Sequence, residues 1–290
     1  MDSVEGTPAE PDHEGILRDE TIMLRWIFGY CHDAKLNNGM SWPDIPQTSV
    51  PRGSFSDIKD LGFLSIDVDH FRVENGEIQR VEVGVSFLKA QSLQLLHGKS
   101  TQGGNLASRL IKSHHWVFGP KKAFHGRSQH FLFGNARPVK ITDLGLELKR
   151  FTRKPYVLVV HGGRQEFSLL ERLNIKLEPV FILDTVKAAQ FPLQLWYRYN
   201  LKQLLDEFQI PYSHLHIAGN DAHLTLRVLL MIAVRDAEIH LSGKRLPDWI
   251  PIFKVVAQSP LPPRPPTKRQ IAAMAEAEAE QQTAIEAKEV

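Results

Sequence analysis

The 290-residue chain contains a single cysteine, Cys31. This excludes an internal disulfide framework and a cysteine-rich zinc site, and it suits a reducing compartment. Long apolar runs are missing too: no stretch approaches the roughly 20 residues that a membrane-spanning helix needs. The opening residues, Met-Asp-Ser-Val-Glu-Gly-Thr-Pro, show neither a basic region nor an apolar signal region. Nor is there an excess of one charge. Thirty-five Lys and Arg stand against 33 Asp and Glu, a formal net charge of +2, so any surface that depends on strong positive charge has to be local. No internal repeat is visible. Together these absences lead to the expectation of a soluble, intracellular protein, nuclear, cytoplasmic or both, with no membrane partner.

What is present is a chain long enough for one large core with tails to spare, 42% hydrophobic and 23% charged. Residues 1–15 are acidic and carry Pro8 and Pro11, which predicts disorder. Ile16 to about Ala34 reads as a helix with Asp19 as its N-cap, and a linker with Asn38-Gly39 and three prolines runs on to residue 56. From there to residue 258 the pattern is that of one α/β domain. Leu61 to Phe71 reads as a buried strand, and Ile78 to Leu88 alternates as its antiparallel partner across an Asn75-Gly76 turn. Shorter strands are expected at His114–Phe118 and His130–Phe133, a buried parallel one at Tyr156–Val160 and another at Val180–Leu183. Helical patterns cover Ile141–Phe151, Phe167–Leu173, Leu201–Phe208 and Ala222–Ala237. A hairpin followed by alternating strands and helices indicates three layers around a mixed sheet. Past Ser259 the chain turns into a proline-rich segment and an Ala/Glu-rich tail to residue 290, a spacer or a docking ligand for a protein partner.

Chemistry concentrates first at Asp67-Val-Asp69. Alternate residues of a strand share a face, so both carboxylates point the same way, and two acids on one face are costly to bury without a cation between them. Oxygen ligands at that spacing suit Mg²⁺ or Mn²⁺. Downstream, Glu166 falls in the first turn of the helix after Tyr156–Val160, Asp184 ends the next strand, and His216 and Asp221 open the long helix. Each alone has a plainer explanation, as a capping or solvated side chain. Between the strand candidates, Lys121, Lys122, His125 and Arg127 form a basic segment, either a solvated loop or a phosphate-contacting arm.

Taken together, these motifs resemble the DEDDh branch of the RNase H-like 3′-to-5′ exonucleases over roughly Leu61 to Arg235. Asp67-Val-Asp69 matches the family's Asp-x-Glu with the second acid shortened. His161-Gly162 and Glu166 match its His-Asn followed by Asp, with the Asn replaced and the acid lengthened. His216-Ile-Ala218-Gly-Asn-Asp221-Ala222 matches its third motif in full. Phe131-Leu-Phe-Gly134 and the flanking tails are similar to a fungal subgroup linked to an mRNA-export helicase. The resemblance implies an RNase H-like α/β/α domain with a central five-stranded mixed sheet. It implies that Asp67, Asp69, Glu166 and Asp221 hold two divalent ions, Mg²⁺ or Mn²⁺, about 4 Å apart, and that His216 is the general base. The substrate would be a single-stranded RNA or DNA 3′ end. His70, Phe71 and His161 would lie near the terminal nucleotide, and Lys121, Lys122, Arg127 and Arg164 would track phosphates. His70 and Phe71 equally suit a turn histidine and a buried aromatic. The alternative is a weak or inactive domain of the same fold that binds RNA or serves as an mRNA-export adaptor.

Overall fold

A computed structural model describes residues 15–31, 33, 35, 36, 61–96, 104–119 and 127–263. In chain order its elements are α1 (Asp19–Ile27), β1 (Gly62–Glu74), β2 (Glu77–Lys89), α2 (Ala90–Gln94), α3 (Leu106–Leu110), β3 (Lys112–Phe118), β4 (Arg137–Pro138), α4 (Leu144–Lys149), β5 (Tyr156–Val160), α5 (Arg164–Arg172), β6 (Phe181–Asp184), α6 (Thr185–Ala188), α7 (Leu201–Glu207), α8 (Ala218–His240) and α9 (Ile250–Ala257). The strands form one mixed sheet in the order β4-β3-β2-β1-β5-β6. It is the RNase H-like α/β architecture with six strands rather than the five expected.

Strand alternation explains the layers. Leu64, Ile66 and Val68 of β1 and Val81, Val83 and Val85 of β2 face α4 and α5 in one apolar cluster. Leu61 and Phe63 face the opposite way, into a larger cluster with α1, α8 and α9. Asp67 and Asp69 continue that second face along β1, so the face is apolar at one end and acidic at the other. The β1–β2 hairpin turns at Asn75 and Gly76, whose φ angles of 51° and 82° are the two left-handed residues such a turn needs.

Three expectations shift. The first helix spans Asp19–Ile27 with Arg18 as N-cap, not Asp19. It stops because Gly29 takes φ 71°, and Tyr30 N–H reaches back to the Arg25 carbonyl while Gly29 N–H reaches Trp26, the left-handed helix ending that glycine permits. The helix is part of the core, since Arg25 pairs with Asp236 of α8 through Nε at 2.8 Å and Nη2 at 2.9 Å, both buried. His130–Phe133 is not a strand. Arg127–His130 is a 3₁₀ turn, and the Asn220 side chain accepts from Leu132 N–H and donates to the His130 carbonyl, so these backbone groups are satisfied by α8 instead of a ladder. The sixth strand is β4, which pairs Trp116 with Arg137. Finally, α8 begins at Ala218, four residues before the expected start. Residues 1–14, the linker to residue 56 and the tail beyond Pro263 lie outside the described residues. Among the described residues no helix is long and apolar enough to cross a membrane.

The long helix lies so close to β2 that a Cβ on Gly84 would fall inside the Ala218 carbonyl. Gly84→Ala is therefore expected to destabilise the fold by about 1–3 kcal/mol or more, measured by denaturant unfolding. Gly76→Ala, where nothing lies within 4 Å, is expected to cost only the smaller strain of a Cβ at its left-handed φ.

Candidate metal and nuclease site

The site assembles where β1, β2 and β3 meet the start of α8. Asp67 pairs across the sheet with Gly84 and Asp69 with Glu82, and Gly84 pairs on its other side with His115. These residues share one face. Because Gly84 has no side chain, the first turn of α8 settles onto it and brings Asp221 over Asp67. Asp67, Asp69 and Asp221 each present an oxygen within 4.8 Å of the others. Asp69 Oδ2 and Asp221 Oδ1 are buried with no hydrogen-bond partner. An orphaned buried carboxylate oxygen is costly in a folded protein, and two of them converging with a third acid fit a hard cation with oxygen ligands. The residues present suit a divalent ion.

The charges bear this out. Burial pushes the Asp67 carboxyl well above its ordinary range, with the charges of Asp221, Asp69 and Glu166 adding to it. Burial likewise lifts Asp221 to about 7, against the bond it accepts from His216 N–H at 2.9 Å and with the Asp69 charge adding. Asp69 is raised by burial, with His70 and His216 opposing.

Glu166 lies outside the trio of converging oxygens. It is buried in the first turn of α5, and its Oε1 accepts the N–H of Val68, the residue between the two β1 aspartates, at 2.9 Å. Burial raises it, and that backbone bond is among the opposing ones. The added methylene, relative to Asp, carries the carboxylate to the β1 backbone. Asp221 is not an N-cap: Ile217 is, and Asp221 sits in the first turn, reaching back to His216.

The other candidates are placed as follows. His216 is exposed and holds φ 62°. His70 is exposed with φ 53°, where the β1–β2 register shifts after Asp69. Phe71 turns to the other face and packs, half-buried, on the α5-side core. His161 follows the Ser65–Val159 pair by two residues, as Asp67 does. Its Nδ1 lies 2.9 Å from Thr185 Oγ1, which donates to the Val160 carbonyl and so accepts the imidazole proton. Burial lowers its pKa to about 4, against the pull of Asp184, so it is neutral near pH 7. Asp184 caps α6 through Val186 N–H and also accepts from Gly162 N–H. Arg164 opens α5 and is exposed. Arg127 opens the 3₁₀ turn, while Lys121 and Lys122 lie outside the described residues.

Two residues escaped the sequence reading, Glu82 and His115. Gly219 N–H donates to His115 Nδ1 at 3.1 Å, which leaves Nε2 as the protonated nitrogen, 3.3 Å from Glu82 Oε2. Arg80 Nη2 donates to Glu82 Oε1 at 2.7 Å. Burial alone would push the Glu82 carboxyl up, but the His115 and Arg80 bonds outweigh it and hold it below its ordinary value. This buried chain ties the first turn of α8 to the sheet beside Asp69. The one signal for it was the polar, small set Glu82, Gly84, Ser86 interleaved with the apolar positions of β2.

The chain belongs to the DEDDh family described as DNA polymerase III subunit epsilon-like, C-terminal domain, whose family model matches residues 62–232. It is thus a DEDDh exonuclease-type domain. A comparison with curated proteins returned no match.

Two outcomes follow. For the metal-free protein, each acid whose folded pKa is raised contributes stability that is present below its unfolded value near 4 and lost as pH rises through its folded value. Stability in a chelator should therefore fall between about pH 4 and 7. Adding Mg²⁺ or Mn²⁺ at pH 7 should raise Tm, and Asp67→Asn should raise the chelated Tm while shrinking that increment, read by thermal denaturation. Separately, His115→Phe keeps an aromatic ring, somewhat larger, but leaves Gly219 N–H unpaired, and unfolding by urea should register about 1–3 kcal/mol of destabilisation.

Proposed function

We propose that the chain is a metal-dependent 3′-to-5′ exonuclease that removes nucleoside 5′-monophosphates from a single-stranded end. The observation that carries this reading is the convergence of Asp67, Asp69 and Asp221 with two buried, unpartnered carboxylate oxygens. In it, those three acids hold the divalent ions, with Glu166 contributing the oxygen that Val68 N–H does not take. Ions bound there supply charge to polarise the scissile phosphate and offset the negative charge of its pentacovalent transition state.

The chain's own residues do the rest. His216, exposed at the mouth of the site with its N–H held by Asp221, takes a proton from the attacking water. Neutral His161 presents Nε2 as an acceptor to the terminal nucleotide, and His70 stands at the rim. Arg164 at the start of α5, with Arg127 and the Lys121-Lys122 pair, meets the phosphates. Phe71 contributes by buttressing the rim and not by stacking on a base. We place the protein inside the cell, in nucleus, cytoplasm or both.

One observation favours a second reading. Glu166 is drawn to the β1 backbone and away from the trio, and catalytic geometry tolerates only about 0.5 Å of error. A domain with a depleted ligand set would bind RNA without cutting it, as an mRNA-export adaptor that engages a protein through its proline-rich tail, in line with the likeness to a helicase-linked fungal subgroup.

The test is Mn²⁺-dependent trimming of 5′-labelled single-stranded RNA and DNA by the wild type and by Asp221→Asn. The exonuclease reading expects a ladder shortening from the 3′ end that vanishes in the variant, and the two substrates show the preferred nucleic acid. Binding without any ladder, even with Glu166→Asp, supports the adaptor.

A further inference from the structure

We propose that a basic groove on the α5 side of the sheet, away from the acidic cluster, is an accessory binding track for the phosphate backbone of a single-stranded nucleic acid. Two cavities form it, of about 770 Å³ and about 680 Å³, and they share Leu146, Lys149 and Thr152, so they are continuous around α4. The lining includes Lys149, Arg172 and Lys176 in the larger cavity and Arg150 and Arg153 in the smaller. All five cations are exposed.

A single acid, Glu147, lines either cavity, and it is already neutralised from two sides. Arg137 Nη2 and Arg150 Nη1 each lie 2.9 Å from its carboxylate; burial would raise it, but those bonds outweigh burial and hold it below its ordinary range. Asp143, Glu171 and Glu178 flank the groove without lining it. Arg150 is paired with Glu147, but among the described residues no ion pair engages Lys149, Arg153, Arg172 or Lys176, which leaves four cationic heads for an external polyanion. Arg172 also donates to the Gly76 carbonyl at the hairpin tip, which uses one donor and keeps the charge. Leu146, 70% exposed, sits where the cavities join and gives an apolar surface for a sugar or base edge between phosphate contacts.

Position argues for nucleic acid over an acidic peptide. Helix α5 carries Glu166 in its first turn, against the β1 strand of the aspartates, and ends at Arg172 in the groove. Six residues of helix separate them, about 9 Å along the axis. A strand whose 3′ end occupies the candidate site has its upstream phosphates within reach of the groove, whereas an acidic peptide gains nothing from that proximity. The inference rests on the proposed function only in taking nucleic acid as the ligand, and its test does not require cleavage.

The experiment measures binding of fluorescent single-stranded RNA and DNA of two and of twelve nucleotides to full-length protein in EDTA, across a salt series. Lys149→Ala/Lys176→Ala is compared with wild type and with Lys244→Ala, an exposed cation elsewhere. The double variant should lose affinity for the twelve-mer alone. The slope of log K against log salt should flatten by about 1.4, the value for two lost single-strand phosphate contacts, with Lys244→Ala unchanged. Equal twelve-mer binding by wild type and the double variant overturns the proposal, as does a loss equally large for the dinucleotide. Displacement of a bound poly-glutamate peptide that depends on these lysines, with no effect on nucleic acid, would overturn it in favour of an acidic protein partner. If the track behaves as expected in a protein that never cleaves, the exonuclease reading falls and the track stands.

Discussion

Much of this molecule depends on one close approach, that of the first turn of α8 to Gly84 on β2. A helix axis normally stays well clear of a sheet because side chains intervene. Here the Ala218 carbonyl occupies the space a Gly84 side chain would fill, and a Cβ on Gly219 would lie 2.7 Å from both His115 and Phe131. The absence of a Cβ at Gly84 and at Gly219 lets the helix N-terminus reach the carboxylate face. That placement brings Asp221 to Asp67 and Asp69, and it also points the positive end of a 23-residue helix at their charges, which offsets part of their repulsion. The His115 and Asn220 bonds then fix the approach from both sides, one to the sheet and the other to the 127–134 segment.

A cluster of carboxylates is a local instability, and the remainder of α8 is correspondingly well held. Toward its far end Asp236 takes two bonds from Arg25 and one from Tyr30 Oη at 2.8 Å. Buried pairs of this kind are weak net stabilisers but strongly penalise separation, so they fix how α1 and α8 lie together. Midway, Arg227 is fully buried and donates to the carbonyls of Ala257, Pro211 and Ser259. It therefore satisfies the end of α9 and the loop that leads into the site with one cation, whose own pKa burial lowers to about 10. These groups are far from the carboxylate cluster, yet they hold the helix that carries Asp221.

How the acids came to be arranged also bears on the two departures from the family motif. Asp69, one methylene short of Glu, keeps a buried oxygen free of partners and remains in the trio. Glu166, one methylene long, uses its reach to bond the β1 backbone. The substitutions thus act differently: the first leaves a carboxylate oxygen without a partner, and the second commits one of its two oxygens to the backbone. The neighbouring Glu82 does not stand in for it, because its oxygens face Arg80 and His115.

From sequence alone, period-two alternation determined which faces of β1 and β2 are core, Asn75-Gly76 determined the hairpin, and Asp-x-Asp with His-x-Ala-x-x-Asp-Ala marked Asp67, Asp69 and Asp221, the three acids that converge. Each of these is local, carried by backbone geometry within a few residues. Tertiary structure alone decided that His130–Phe133 would not be a strand, since the group satisfying its backbone, Asn220, lies about 90 residues away. It alone decided that Glu82 and His115 support the site, and that Glu166 bonds to β1. Hydrogen-bond satisfaction and charge pairing are properties of what meets in space. Residue spacing along a chain does not encode them until the helix has docked.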